Sequence, residues 1–426
     1  MNVRPVRHRS RRRPRRDVDP ERGSGLNGAP KPIRRDRRLD LTAQPGRKGT
    51  SLHVGLPLDL RTSQRPTMSL VIPAGWQVHA PARWALLTPA LLLGPLVVVL
   101  DRSGAVGNLT LFIVAAVALL PLSWLIGEAT DNLAFYTGPA IGGFLNATFG
   151  NAPELIIAII AVSEGLTEIV RASLVGSIAG NLLLVLGFTL LLGRRGPIDR
   201  RSTYISLGLV GFAAIVLLAG AVPGFHGDPD RRALATLALP LAVLLLIVRV
   251  TVTRRELRRQ RQIYTPVELT AGNWRLRTSL IALGIATLMT AFVTEALVGS
   301  LRVFAERANL SEFFVAVVIV AIVGNATEHG SAVLLARRGR VKLAVEIPLA
   351  SSAQIAALLI PVVAVMSWAF EPLTLSFRPV ELAALGISAA LPALVLRSGT
   401  TTRLGGRALL VAYAGLVVAF YLAGER

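Results

Sequence analysis

The chain has 426 residues, 52% of them hydrophobic and only 17% charged, with a formal net charge of +21 and no cysteine. Apolar runs of membrane-spanning length recur through it, for example at 84–100, 202–220 and 233–252. That pattern excludes an ordinary soluble domain and defines an all-α integral membrane protein. The missing cysteines exclude disulfides and thiolate metal sites.

In chain order, residues 1–67 come first, with 18 Lys and Arg against 6 Asp and Glu. They show no sustained periodicity and read as a disordered basic tail. Two readings stay open: an extension ahead of a start at Met68, or a segment drawn to anionic lipid. The tail lacks the apolar core of a secretory signal, so the first span is expected to serve as its own signal. Eleven apolar segments follow, at 84–100, 108–126, 138–162, 169–193, 202–221, 232–252, 277–299, 311–336, 342–369, 377–396 and 405–423. The expected domains are the first helix with repeat one (80–252), a basic linker (253–276) and repeat two (277–426).

Loop charge orients the segments. Arg194, Arg195, Arg200 and Arg201 follow the fourth, and Arg254, Arg255, Arg258, Arg259 and Arg261 follow the sixth. Arg337, Arg338, Arg340 and Lys342 follow the eighth, and Arg397 and Arg403 the tenth. The opposite loops are poorer in basic residues or mix them with acids, as at Asp228-Pro229-Asp230-Arg231-Arg232. The positive-inside bias then predicts a cytoplasmic N-terminus, in a plasma membrane of bacterial type. It accounts for the basic loops without nucleic acid, and membrane lipid is the expected partner.

Within this frame Gly150-Asn151-Ala152-Pro153-Glu154 returns as Gly324-Asn325-Ala326-Thr327-Glu328. Five spans separate equivalent positions, and an odd number reverses orientation. The expectation is a first helix plus two inverted five-helix repeats, with the copies meeting near the bilayer midplane. Ser177 and Asn181 in the fourth span parallel Ser351, Ser352 and Gln354 in the ninth.

A carboxylate at membrane depth costs at least about 2.5 kcal/mol, so Glu154 and Glu328 are functional candidates by default. Asn and Glu at i and i+3 share a helix face. Two carboxylates, the amides of Asn151, Asn325, Asn181 and Gln354, and the hydroxyls of Ser177, Ser351 and Ser352 make an all-oxygen set. Hard cations such as Ca²⁺ want six to eight such ligands. A carboxylate removed from water takes up a proton when no cation neutralises it, so protons and cation compete for the same oxygens. Two Glu suffice for an electroneutral swap of one Ca²⁺ for two H⁺. Glu295 and His329 are open between proton handling and a structural role. Glu164 and Glu168 are open between cation attraction and a solvated loop. Glu346, four residues after Lys342, reads as an i,i+4 ion pair. Pro153, placed inside a helix, is expected to remove one hydrogen bond and open the helix at the site. No catalytic constellation and no resident cofactor are read; the chain is expected not to be an enzyme.

The runs 142–156 (Gly-Gly-Phe-Leu-Asn-Ala-Thr-Phe-Gly-Asn-Ala-Pro-Glu-Leu-Ile), 322–329 and Ser351-Ser352-Ala353-Gln354-Ile355 together resemble the calcium/proton exchangers of the calcium/cation antiporter superfamily. The resemblance covers about residues 80–425. It implies eleven helices with a peripheral first one, and Ca²⁺ bound between the motif helices. It also implies that Glu154 and Glu328 are the acidic ligands, while Asn151, Asn325, Ser177, Asn181, Ser352 and Gln354 line the pathway. A Na⁺-coupled calcium or other cation exchanger of the same superfamily is the alternative. The linker 253–276 departs from many relatives in being basic where they carry an acidic helix, and an interfacial helix on anionic lipid is expected there.

Overall fold

The computed structural model describes residues 80–221, 231–263, 274–370, 372–373 and 375–424. The tail at 1–67 and the loop at 222–230 lie outside them. Contacts divide the chain into Met1–Met68 and Ser69–Arg426; only the second unit is described below. Its described residues hold helices and no strand beyond one isolated bridge between Pro197 and Thr400.

The helices are α1 (Ala80–Ser103), α2 (Asn108–Phe149), α3 (Ala152–Ser163), α4 (Thr167–Leu192), α5 (Arg200–Ala221) and α6 (Arg231–Ile263). Then come α7 (Leu276–Arg307), α8 (Glu312–Gly324), α9 (Ala326–Arg337), α10 (Val341–Ala369), α11 (Pro379–Val395) and α12 (Arg403–Gly424). Among the described residues, seven helices are singly long and apolar enough to span a membrane, and α8 with α9 makes an eighth, bent span.

Two boundaries differ from the sequence expectation: the segment expected at 311–336 is broken into α8 and α9 with a bend of 58°, and one expected break is missing. The segments 108–126 and 138–162 were expected as separate spans, but the backbone is helical without interruption over Asn108–Phe149. The polar stretch between them bonds along the helix instead of ending it. Thr130 Oγ1 donates to the Ile126 carbonyl (2.8 Å), and Asn132 Nδ2 to that of Glu128 (2.8 Å). The break falls at Gly150-Asn151, inside the motif.

The two repeats match in backbone detail. Asn151 and Asn325, the N-caps of α3 and α9, have φ/ψ of −108°/26° and −97°/7°. Each is followed by a 12-residue helix with its glutamate three residues after the cap. Each helix ends in the same way, at Gly165 (φ +77°) and Gly339 (φ +78°). Leu166 N donates to Ala161 O (2.8 Å) and Arg340 N to Leu335 O (3.0 Å), the 6→1 bond of a left-handed glycine cap. A π-helical turn follows the polar residues in both repeats, Gly180–Val185 in α4 and Ile355–Leu359 in α10. Such turns shift side-chain register inside a helix and gather at functional sites.

The loops sort onto two faces. On one, 193–199 is zipped to 396–402: Ile198 N donates to Gly399 O and Thr401 N to Gly196 O, both at 3.0 Å. Lys342 reaches Asp199 there (3.5 Å). This face carries Arg194, Arg195, Arg200, Arg201, Arg338, Arg340, Arg397 and Arg403. On the opposite face Arg378 pairs with Glu168 and lies over the Phe313 ring, 4.8 Å from its centroid. Lys342 is thus in contact with Asp199 across a loop, and its charge also acts on Glu346, the expected i,i+4 partner. Asp199 is fixed for that role because it caps α5, accepting from Arg201 N (3.1 Å) and Ser202 N (3.2 Å).

Candidate functional site

The site forms where the N-termini of α3 and α9 meet. Gly324 leaves room for the other motif's carboxylate: an ideal Cβ there would stand 3.5 Å from Glu154 Cγ and 3.8 Å from Oε1. Glu154 and Glu328 are close enough for their charges to interact. Each sits in the first turn of its helix, where the positive end of the helix dipole offsets part of the cost of an ionised carboxylate.

Pro153 does not act as the sequence suggested. It is the second residue of α3, where a backbone N–H has no intrahelical acceptor, so no hydrogen bond is lost. The other copy breaks at the same point with Thr327 in that place, so proline is not the cause of the break.

Amide and hydroxyl groups tie the four helices together. Asn151 Nδ2 donates to Gln354 Oε1 (2.7 Å). Asn325 Nδ2 donates to Ser177 Oγ (2.8 Å) and to Ala321 O (3.0 Å). Asn181 Nδ2 donates to Asn325 Oδ1 (3.2 Å) and Ser351 Oγ (3.0 Å). Ser351 also lies beside the Glu328 carboxylate. Asn325, Ser177, Asn181 and Ser351 form one hydrogen-bonded set, Asn151 and Gln354 form a separate pair, and Glu154 lies against Gly324. Ser352 stays at the edge: its hydroxyl donates back to Pro348 O (2.8 Å).

The donors of this network are spent on protein partners, and a set of acceptors is left over. Asn151 Oδ1, Glu154 Oε2, Asn181 Oδ1 and Glu328 Oε2 are buried without a hydrogen-bond partner. A buried acceptor left unmade costs about 1–3 kcal/mol. Four such oxygens, two of them carboxylate, fit a hard cation. Among the described residues no group of three His, Cys, Asp or Glu could hold a metal, so amides and hydroxyls must complete any shell here.

Two expected residues stand apart. His329 is half-buried and its Nε2 has no partner, but adjacent helix residues do not face each other, so it points away from the Glu328 side. Glu295 is exposed on α7, near Glu164 at the end of α3 and away from the motif glutamates. The sequence counted Ser351 among the oxygens but not among the pathway residues, and it takes a place between Asn181 and Glu328 that Ser352 was expected to hold.

The halves are covered unequally. Seven residues of α3 are buried, Glu154 at 6% exposure among them, against three in α9. Glu328 is half-buried.

Fold and site define a multi-span helical membrane protein of two inverted halves around a buried oxygen cluster. The family model described as sodium/calcium exchanger protein matches residues 107–260 and 278–422, and the chain belongs to that family. It is 35% identical over 346 residues to a Ca²⁺/H⁺ antiporter of Synechocystis sp., covering 74% of this chain and 91% of that one. It is 36% identical over 324 residues to the Ca²⁺/H⁺ antiporter ChaA of Bacillus subtilis, covering 73% and 92%. Among solved structures, native YfkE superposes with a TM-score of 0.68 at 31% identity, covering 79% of this chain and 99% of that chain. The H⁺/Ca²⁺ exchanger CAX shares the fold, with a TM-score of 0.60 at 15% identity over 81% and 93%.

Proposed function

We propose that the protein exchanges Ca²⁺ for H⁺ across the membrane by alternating access, with Glu154 and Glu328 binding the two cargoes in competition. The observation that carries this reading is the set of four partnerless acceptor oxygens at the meeting of the two motifs. The names of the relatives at 35–36% identity point the same way.

The chemistry follows from charge balance. With Ca²⁺ bound, both carboxylates are ionised and the site is neutral. When Ca²⁺ leaves, two protons restore neutrality. The empty, doubly ionised site costs at least about 5 kcal/mol at membrane depth, roughly one copy in 5,000, so it does not change faces. Loaded forms do, and each outward Ca²⁺ is matched by two inward H⁺. Asn151, Asn325, Ser177, Asn181, Ser352 and Gln354 supply or orient neutral oxygens. The positive-inside bias makes the arginine-rich face cytoplasmic.

The experiment is Ca²⁺ movement in everted membrane vesicles energised by a pH gradient, with Na⁺ absent. Flux driven by the gradient alone supports the proposal. Flux that requires Na⁺ replaces it with Na⁺-coupled exchange.

A further inference from the structure

The zipped loops of the arginine-rich face are centred on one hydroxyl. Thr401 is buried, and its Oγ1 accepts from Gly196 N (3.0 Å) and reaches the Arg194 carbonyl (3.3 Å). Below it α4 and α12 cross at backbone contact: a Cβ on Gly406 would stand 2.7 Å from Gly187 O and 2.8 Å from Leu191 N. Arg194 and Arg195, which follow α4, and Arg403, which opens α12, are thereby held at the same end of one crossing. Arg407 follows Arg403 by one turn on the same face of α12. It belongs to a stripe with Leu404 and Val411, three residues before and four after, whose side chains are 76% and 71% exposed. On a membrane-spanning helix such an apolar stripe faces lipid.

The charges gathered there are unmet. Arg194, Arg195, Arg403 and Arg407 are all exposed. Among the described residues their guanidiniums make no ion pair, hydrogen bond or ring contact. Asp199, the acid of the same loop, is already committed to the α5 cap and to Lys342. On the opposite face, by contrast, Arg302 is paired with Glu312 and Arg378 with Glu168. Four like charges at one crossing repel one another, and an anion from outside the chain relieves them. Arg407 stands about 6 Å beyond Arg403 into the span, at 1.5 Å per residue, so its guanidinium reaches back along the helix to the headgroup level. An anion that sits at that level, over apolar chains, is a phospholipid phosphate. The positive-inside bias puts this side at the cytoplasm, where the leaflet carries anionic lipid.

We propose that Arg194, Arg195, Arg403 and Arg407 form a binding site for an anionic phospholipid, its phosphate held by the guanidiniums and its acyl chains lying along Leu404 and Val411. Guanidinium forks match phosphate oxygens in bidentate pairs. The arginines come from both sides of the α4–α12 crossing. A bound lipid therefore holds α12 against α4, the helix that carries Ser177 and Asn181. This surface stands whether or not the protein exchanges Ca²⁺ for H⁺.

The test is thermal unfolding of the full chain, purified in detergent, with phosphatidylglycerol, phosphatidylcholine or inorganic phosphate added. Phosphatidylglycerol should raise the parent's melting temperature by a few degrees, as a ligand of the folded state does, and the other two should not. Arg403→Gln/Arg407→Gln should melt like the parent without lipid and lose most of the shift, whereas Arg403→Lys/Arg407→Lys should recover part of it. Arg254→Gln/Arg255→Gln, which removes two exposed arginines of α6, should keep most of it. No shift in the parent, an equal shift with phosphatidylcholine, or a full shift in Arg403→Gln/Arg407→Gln each overturn the site. An equal loss in the α6 variant assigns the effect to net charge, and a shift reproduced by inorganic phosphate assigns it to a free anion; either result overturns the site as well.

Discussion

Gly176 is where α4 crosses α8, one residue before Ser177. A Cβ built on it overlaps the carbonyl oxygen of Val317 and stands 2.7 Å from the Val317 carbonyl carbon and 2.9 Å from Ala321 Cβ. Two of those atoms are backbone, in the π-helical turn Val315–Val320, and cannot swing aside as a side-chain tip would. Contact at about 3.5–4.0 Å then requires α4 and α8 to part by about 2 Å at the carbonyl oxygen. Overpacking of this kind costs about 1–3 kcal/mol. The shift also pulls Ser177 from Asn325, a bond worth about 0.5–1.5 kcal/mol. Gly176→Ala should therefore destabilise the protein by about 2–4 kcal/mol and impair exchange even where it reaches the membrane. Gly180→Ala, one turn along the same helix with nothing within 4 Å, is the control and should leave the melting temperature unchanged or higher. The assay is thermal unfolding in detergent beside Ca²⁺/H⁺ exchange at matched protein levels. Equal tolerance of the two substitutions would refute the close-crossing argument.

Asn325→Ala removes hydrogen bonds to Ser177, Ala321 and Asn181, whereas Asn151→Ala removes one to Gln354; melting and Ca²⁺ affinity should both fall further for Asn325. Pro153→Ala should shift the melting temperature little, because the second residue of a helix has no backbone bond to regain; a rise of many degrees would show that the proline strains the break. Asp199 titrates below its ordinary value of 3.8, held down first by the Ser202 backbone N–H and also by Lys342. A lowered folded-state value means that its stabilisation is present above the unfolded value and is lost as pH falls through the folded one. Asp199→Asn keeps the cap, which Asn makes as well as Asp, but loses the charge facing Lys342; it should destabilise at neutral pH by about 0.2–1 kcal/mol, as for exposed ion pairs, with the difference shrinking below pH 3.8, and melting curves across that range test the sign.

The duplicated motif and the charge bias made the inverted repeat, the antiparallel glutamates and most of the polar cluster legible, because span counting and loop charge report topology directly. Partner choice was less legible. Lys342 has an acid four residues away in sequence, yet the loop zipped at Gly196–Thr401 brings Asp199 to it. Periodicity marks which helix face is buried and does not mark where a backbone turns: residues 127–137 look like a polar connection but satisfy themselves inside one helix. Pro153 was misjudged for the same reason, since its effect depends on where the helix begins.

The central claim is that Glu154 and Glu328 together hold either one Ca²⁺ or two protons. The most direct measurement is Ca²⁺ uptake into vesicles under an imposed pH gradient without Na⁺, for the parent, Glu154→Gln and Glu328→Gln, each confirmed in the membrane. The account predicts gradient-driven uptake in the parent and none in either variant, because one carboxylate can neither neutralise Ca²⁺ nor carry two protons. Retained uptake in either variant, or no uptake in the parent until Na⁺ is added, would contradict it.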